Sequence, residues 1–150
     1  MASGTITLTR KGNGLLDGRI VWESTSNGIS ANNSTVTATL QLMRNASRDT
    51  TSGTFKGTFT VATTTRTISK FLNLPHGEWV TVETISLTVS HSKDGSGKCY
   101  LHADIDGPTQ TSMEGTSVSG SSTVTLDKIT RFATILSATD FTDEENPTIT

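Results

Sequence analysis

The residues best suited to nucleophilic catalysis are three histidines, a single cysteine and many serines. Such catalysis needs a base held beside a Ser or Cys side chain, and families that use it carry recognisable local signatures. The chain has no Gly-x-Ser-x-Gly elbow and no Cys/His signature around His76, His91, His102 or Cys99. Cys99 lies in phase with Leu101 in an alternating segment, which predicts a small core residue. We therefore expect no catalytic residue and a protein that is not an enzyme.

Two short acidic segments, residues 94–97 and 104–107, resemble fragments of calcium-binding loops. Neither is a complete EF-hand loop, because that loop continues to a Glu ligand at its twelfth position. Asp-Gly pairs are more typical of turns, where Gly supplies a positive φ angle. We therefore expect no metal site and no cofactor. His91 precedes the first Asp-Gly pair and should lie at the rim of the predicted core. We expect it to brace the turn that follows by hydrogen bonds.

Two groups of residues combine an aromatic ring with polar neighbours, which suits the C–H face and hydroxyl rim of a sugar. One group lies in a predicted loop, and its Trp79 either plugs the end of the fold or stacks on a sugar. The other group lies on a predicted strand and points away from Cys99, and it binds a glycan, contacts a neighbouring subunit or is solvated. We favour the loop group, because loops present side chains freely. The candidate glycan-binding residues are His76, Glu78 and Trp79 in the loop group and Tyr100, His102 and Asp104 in the strand group.

The composition of the chain favours β-structure, so we expect strands and their loops to position these candidates. About 30 Thr and about 18 Ser occur among 150 residues, and β-branched Thr suits a half-exposed pleated surface. Val36, Ala38, Leu40 and Leu42 alternate with polar residues, which is typical of a half-buried strand. The sequence therefore predicts an all-β, antiparallel β-sandwich of about seven to eight strands. The segments with this pattern are residues 5–9, 18–24, 34–42, 54–62, 67–72, 79–90, 98–105 and 122–129.

One predicted strand, residues 79–90, changes the parity of its apolar residues. Val82 occupies an even position and Ile85 an odd one, so a single register cannot bury both. We expect a β-bulge or a break near residues 83–84. The Gly-containing turn at residues 91–98 predicts a hairpin between antiparallel neighbours. The predicted inward-facing residues are Ile20, Trp22, Val36, Leu40, Leu42, Leu87, Val89, Leu101 and Leu126.

Charge and apolar content exclude several classes of protein. The chain has 12 basic and 14 acidic side chains, a net charge of −2, so it lacks the basic surface that nucleic-acid binding needs. No apolar run approaches the roughly 20 residues of a transmembrane helix, and we expect no membrane insertion. Cys99 has no partner for an internal disulfide. The first residues lack a secretory signal, which predicts synthesis in the cytoplasm without export by that route.

The apolar alternation weakens after Arg131. The sequence therefore predicts one β-sandwich module over residues 1–131. Residues 132–150 include an acidic stretch that ends in a Pro, and we interpret them as a linker or the truncated start of a second module.

Three motifs resemble a β-sandwich module of long-tailed (siphovirus) phages of Gram-positive bacteria, and they occur in the order found in that family. Residues 22–24 and 29–36 resemble its opening Trp-x-Ser and its Asn-x-Ser-x-Val strand. Residues 89–97 resemble its His-x-x-Asp-Gly turn. Residues 125–131 resemble its closing Leu-x-x-Ile-Pro-Arg, with Thr130 in place of the Pro. The resemblance thus extends over most of the predicted module.

The resemblance implies an immunoglobulin-like module of a tail, baseplate or host-recognition fibre, assembled in the host cytoplasm and located in the virion. The implied partners are other phage tail proteins. Such a module serves as a spacer, as an assembly surface or as a binder of host cell-wall polysaccharide, and the sequence does not choose among the three. We expect the full-length protein to be a homo-oligomer, because such tail structures are trimeric or ring-symmetric. The family motifs mark no catalytic or ligand-binding residue. A bacterial surface adhesin or carbohydrate-binding module is the alternative, and an export signal would distinguish it.

Overall fold

The computed structural model describes residues 1–45 and 49–130, which form β-strands and no helix. The all-β prediction is confirmed for this part of the chain. Within it, no helix is therefore available to cross a membrane. The nine strands of these residues are β1 (Ala2–Thr7), β2 (Thr9–Lys11), β3 (Leu16–Ser26), β4 (Asn33–Arg44), β5 (Thr51–Val61), β6 (Thr64–Leu74), β7 (Val80–Ser90), β8 (Gly97–Asp106) and β9 (Ser117–Leu126).

The strands form two antiparallel sheets around one hydrophobic core. The four-stranded sheet has the order β1-β3-β4-β7, and the five-stranded sheet has the order β2-β9-β8-β5-β6. Side chains from the inward positions of both sheets fill the core, with Ile20 and Leu40 from one sheet and Phe59 and Leu101 from the other. The alternate side chains of the strands therefore point to the outer faces of the two sheets.

The number of strands exceeds the prediction because of the short β2. Strand β1 pairs with β3 in one sheet, whereas β2 pairs with β9 in the other. Leu8 is buried where the chain crosses between the sheets, and its N–H donates to the Gly18 carbonyl at 2.9 Å. The chain therefore changes sheets within a segment whose alternation predicts only one strand.

Seven of the nine predicted core residues are buried, and two are partly buried. Leu87 and Val89 are only partly buried, although they pack against the core. Both lie in the last four residues of β7, an edge strand of the four-stranded sheet, whereas Val82 and Ile85 earlier in the same strand are buried. The predicted core residues that are buried are Ile20, Trp22, Val36, Leu40, Leu42, Leu101 and Leu126.

A β-bulge in β7 explains the change of parity in that strand. Leu40 of β4 pairs with Glu83, whereas the next residue, Gln41, pairs with Thr81. Val82 is therefore the extra residue, one position before the predicted site. Because the bulge resets the alternation, Val82 and Ile85 are both 1% exposed.

The prediction that residues 91–98 form a hairpin between neighbouring strands is wrong. Strand β7 lies in the four-stranded sheet and β8 lies in the five-stranded sheet, so this turn crosses from one sheet to the other. His91 is buried, and its Nδ1 donates to the Gly95 carbonyl at 2.6 Å. The expected bracing of the turn by His91 is thus confirmed.

An ionic cluster connects the edge strands of the two sheets. Glu83 of β7 pairs with Arg66 at 2.5 Å and with Lys70 at 3.2 Å, and both cations lie on β6. Lys70 also donates to the carbonyl of the bulged residue Val82 at 2.6 Å. The hydrogen bond from Arg66 holds the pKa of the Glu83 carboxyl below its ordinary value. This cluster therefore joins the sheets along one open side.

We predict that Glu83→Gln lowers the free energy of unfolding by about 0.5–1 kcal/mol at neutral pH, because both cations are half-exposed. A lowered folded-state pKa gives stability that is present above the unfolded pKa and lost as pH falls through the folded value. The wild type should therefore approach the variant as pH falls below the ordinary value of 4.5. Urea unfolding at several pH values measures this difference. Glu23→Gln, an exposed carboxyl of equal charge, is the control and should change stability by less than about 0.5 kcal/mol.

The domain prediction extends beyond the described residues. Strand β9 ends at Leu126, and the description ends at Thr130. The predicted linker or second-module start at residues 132–150 lies outside the described residues and stays a prediction.

Candidate functional site

The strand group lies on β8 and faces outward from the five-stranded sheet. Tyr100 is 44% exposed, and its ring stacks on that of His102, with centroids 6.3 Å apart and planes 5° apart. Asp104 follows on the same face and is exposed. Thr60 of β5 and Ser121 of β9 lie opposite His102 on the neighbouring strands. The structure therefore places the three predicted residues in one row beside strands that carry hydroxyl groups.

The loop group lies between β6 and β7. His76 and Glu78 are exposed, whereas Trp79 is half-buried. The guanidinium carbon of Arg19 lies 4.1 Å from the centroid of the Trp79 ring, which is a cation–π contact. Arg19 projects outward from β3, and its Nε donates to Gln41 Oε1 at 2.7 Å. Trp79 therefore packs on the outer face of the four-stranded sheet.

Trp79 does not plug the end of the core, and its stacking on a sugar stays a prediction. It is not part of the buried core, and Arg19 covers one face of its ring. A groove beside it has a volume of only about 190 Å³. Typical small-molecule sites have volumes of roughly 300–1,000 Å³. The loop group and the strand group lie on the outer faces of opposite sheets, so the structure does not combine them into one site.

A larger groove, which none of the sequence motifs predicts, lies at one end of the five-stranded sheet. The groove has a volume of about 480 Å³ and is formed by β5, β6 and the loop between β8 and β9. Phe71 of β6 lines it and is 67% exposed. The alternation of β6 could have shown that Phe71 is exposed, because Phe71 has an odd number whereas the buried residues Ile68 and Leu74 of the same strand have even numbers. This Phe71 groove is defined by Ser52, Lys56, Phe71, Asp106, Pro108 and Gln110.

The loop between β8 and β9, which forms one wall of the groove, is held to the body of the fold by hydrogen bonds and by one buried side chain. Arg44 is buried at the end of β4 and donates to the hydroxyls of Thr51 at 2.6 Å and Ser112 at 3.0 Å. Asn13 donates to the Ser112 carbonyl at 2.6 Å. Met113 is fully buried in the core. The guanidinium of Arg44, the amide of Asn13 and the buried side chain of Met113 therefore fix this wall of the groove.

The Asp-Gly turn has the structural role that its sequence indicates. Asp94 Oδ1 accepts hydrogen bonds from the Ser96 hydroxyl at 2.6 Å and from the Ser96 N–H at 2.9 Å. The hydroxyl bond first, and then the backbone bond, hold the pKa of the Asp94 carboxyl below its ordinary value. Over the residues that the structure describes, no group of three or more His, Cys, Asp or Glu side chains is placed to hold a metal ion.

Cys99 is buried in the core, as its phase with Leu101 predicts. Burial raises the pKa of its thiol, so little thiolate forms at neutral pH. We predict that a colorimetric thiol reagent labels the native protein slowly and labels the denatured protein fully. A Cys99→Ser, Lys98→Cys double variant places an exposed thiol one residue away and serves as the control. Equal labelling rates for the two native proteins would contradict the prediction.

The chain matches no protein-family model and no curated protein sequence. Its functional interpretation therefore depends on the outer faces of the two sheets and on the positions of the motifs. The strand group and the Phe71 groove share the outer face of the five-stranded sheet.

Proposed function

We propose that this chain is a non-enzymatic structural module of a bacteriophage tail, located in the tail, baseplate or fibre of the virion and assembled in the host cytoplasm. In this role it joins other tail proteins, forms a homo-oligomer in the full-length protein and attaches to carbohydrate on the host cell surface. One observation carries the proposal: the three motifs that resemble the phage family are connected to one another by contacts in the fold.

The motif contacts converge on His91. The Asn-x-Ser-x-Val strand supplies Asn32, whose amide donates to the His91 carbonyl at 3.1 Å, and Ser34, whose hydroxyl lies 2.8 Å from His91 Nε2. The Gly95 carbonyl accepts from His91 Nδ1 at 2.6 Å and from the N–H of Ile129 in the closing motif at 2.9 Å. Motifs that are distant in sequence thus share one hydrogen-bonded corner. This convergence supports their interpretation as a single structural signature.

Strand order supports the immunoglobulin-like part of the proposal in one sheet. An immunoglobulin sandwich places its last two strands beside an earlier strand, in the order C-F-G. The order β5-β8-β9 within the five-stranded sheet has the same form. The β3–β4 hairpin departs from the immunoglobulin arrangement, in which the second and third strands lie in different sheets. Here β3 and β4 are neighbours in one sheet. The proposed fold is therefore an immunoglobulin-like sandwich in which the connection from β3 to β4 stays within one sheet.

The tail proposal is tested on phage particles. Tailed particles purified from cultures that encode this chain should contain it, and antibody labelling in the electron microscope should place it on the tail. Mass spectrometry of the purified particles gives the independent measurement. Detection of the chain on the bacterial envelope and not on particles would instead support the adhesin alternative.

The attachment role is tested on isolated cell walls of the host. An oligomerised form of the chain should bind them, because several copies turn weak single contacts into stable attachment. Trp79→Ala and Tyr100→Ala separate the two predicted groups once both variants are shown to fold. Binding that neither substitution alters would discard both groups, and no binding by the wild type would support a spacer role in the tail.

A further inference from the structure

Phe71 is an exposed aromatic residue that lines a groove of the five-stranded sheet. Over the described residues, the large apolar side chains that are exposed are Met1, Ile29, Phe71 and Tyr100. Phe71 lies opposite Thr54 on the outer face of the five-stranded sheet, and it lines the groove of about 480 Å³. This volume falls within the roughly 300–1,000 Å³ of small-molecule sites. A single ring on a concave polar surface is typical of ligand stacking.

The polar side chains of the groove supply hydrogen-bond donors and acceptors around that ring. Lys56 and Asp106 are cross-strand partners on the outer face, and both are exposed. Gln110 lies in the adjoining loop and provides an amide. Ser52 provides a hydroxyl that donates to Asn73 at 2.5 Å. The ring is therefore surrounded by an ammonium, a carboxylate, an amide and a hydroxyl.

The groove wall is held in place in the free protein. Pro108 is buried against β5 at a position where only Gly53 leaves room, because a Cβ there would lie 2.5 Å from Pro108 Cβ. The Thr111 hydroxyl donates to the Pro108 carbonyl at 2.8 Å and accepts from the Met113 N–H at 3.1 Å. Together with the buried contacts of Arg44, these interactions fix the loop. A ligand would therefore meet an ordered surface and lose little affinity to ordering of the loop.

We propose that the Phe71 groove binds a neutral oligosaccharide, with the C–H face of a sugar ring on Phe71 and its hydroxyls bonded to Asp106, Lys56 and Gln110. This inference rests on the proposed attachment to host carbohydrate, and it assigns that attachment to a site outside the two groups that the sequence predicts. Asp104 lies two residues before Asp106 and is also exposed on β8. A longer chain of sugars would therefore extend from the groove toward the strand group.

Charge and area favour a neutral sugar over other ligands. Lys56 and Asp106 carry opposite charges, and the remaining lining side chains are uncharged, so the groove has no excess positive charge to attract phosphate or nucleic acid. A protein partner would need about 800 Å² of surface with an apolar centre. The groove offers one exposed apolar ring, which suits a ligand of the size of a sugar.

The test is a titration of the isotope-labelled full chain, followed by amide NMR shifts. The probes are maltohexaose, cellohexaose and chitohexaose as neutral sugars, and heparin as a polyanion. At least one neutral sugar should shift the amides of Phe71, Asp106 and Gln110 with an affinity in the millimolar range. Phe71→Ala should weaken this binding by about tenfold or more, and Asp106→Asn should weaken it less.

The control is Ile29→Ala, which removes an exposed apolar side chain from the β3–β4 turn and should leave the affinity unchanged. Equal melting temperatures for the wild type and Phe71→Ala would show that the loss of binding is local. No shift of groove amides with any neutral sugar, or salt-sensitive binding of heparin alone, would overturn the inference. Groove binding by a chain absent from phage particles would refute the tail proposal only, whereas a particle-borne chain without groove binding would refute this inference only.

Discussion

Trp22→Ala is expected to lower the free energy of unfolding by about 3 to 5 kcal/mol, the usual cost of deleting a buried aromatic side chain. Trp22 is 7% exposed and belongs to the core. Gly4 of β1 is the cross-strand partner of Trp22, and the indole packs closely beside it, since a Cβ at Gly4 would lie 3.0 Å from Trp22 Nε1. The backbone of β1 cannot move into the vacated space without breaking its pairing with β3, so a cavity should remain. Guanidinium unfolding followed by circular dichroism gives the measurement.

Trp79→Ala is the matched control because it deletes the same side chain from the protein surface. Trp79 is half-buried, and its described ring contact is the cation–π contact with Arg19. Such a contact contributes about 0.5–1 kcal/mol at exposed sites. The two variants should therefore differ by at least about 2 kcal/mol. A change below about 1 kcal/mol for Trp22→Ala would mean that Trp22 does not support the core.

Gly95→Ala is expected to destabilise the protein by roughly 3 to 5 kcal/mol, through two separate effects. Gly95 has a φ of +90°, which an L side chain adopts only with strain. A Cβ at this position would also lie 2.1 Å from the Ile129 carbonyl oxygen. Relief of that overlap requires the closing segment to move away from the turn. Such a movement would break the hydrogen bond between the Ile129 N–H and the Gly95 carbonyl.

Gly28→Ala separates backbone strain from the overlap with Ile129. Gly28 has a φ of +98°, close to that of Gly95, but a Cβ there would have no neighbour within 4 Å. Its substitution should therefore cost only the strain, about 1–2 kcal/mol. Equal losses for the two glycine variants would show that the contact between the turn and the closing segment does not contribute to stability. Urea unfolding of both variants under one set of conditions makes the comparison.

The all-β class, the inward face of most strands and the bulge in β7 could be predicted from the sequence. These features depend on local alternation, because a strand that buries one face must place apolar residues at every second position. Val36, Ala38, Leu40 and Leu42 show this directly. The conflict between Val82 and Ile85 revealed the bulge for the same reason. Cys99 and His91 were placed correctly because their phase and the turn that follows are also local properties.

The assignment of strands to sheets and the shape of the Phe71 groove were decided only by the tertiary structure. Alternation shows which face of a strand is buried, but it does not show which strand is its neighbour. The separation of β7 from β8 depends on contacts between distant residues, such as Ser34 with His91 and Ile129 with Gly95. The groove likewise requires Pro108 to pack on Gly53, more than fifty residues away. Because such pairings arise only when the sheets assemble, the sequence by itself determined the faces of the strands, and the assembled sheets determined the sites on them.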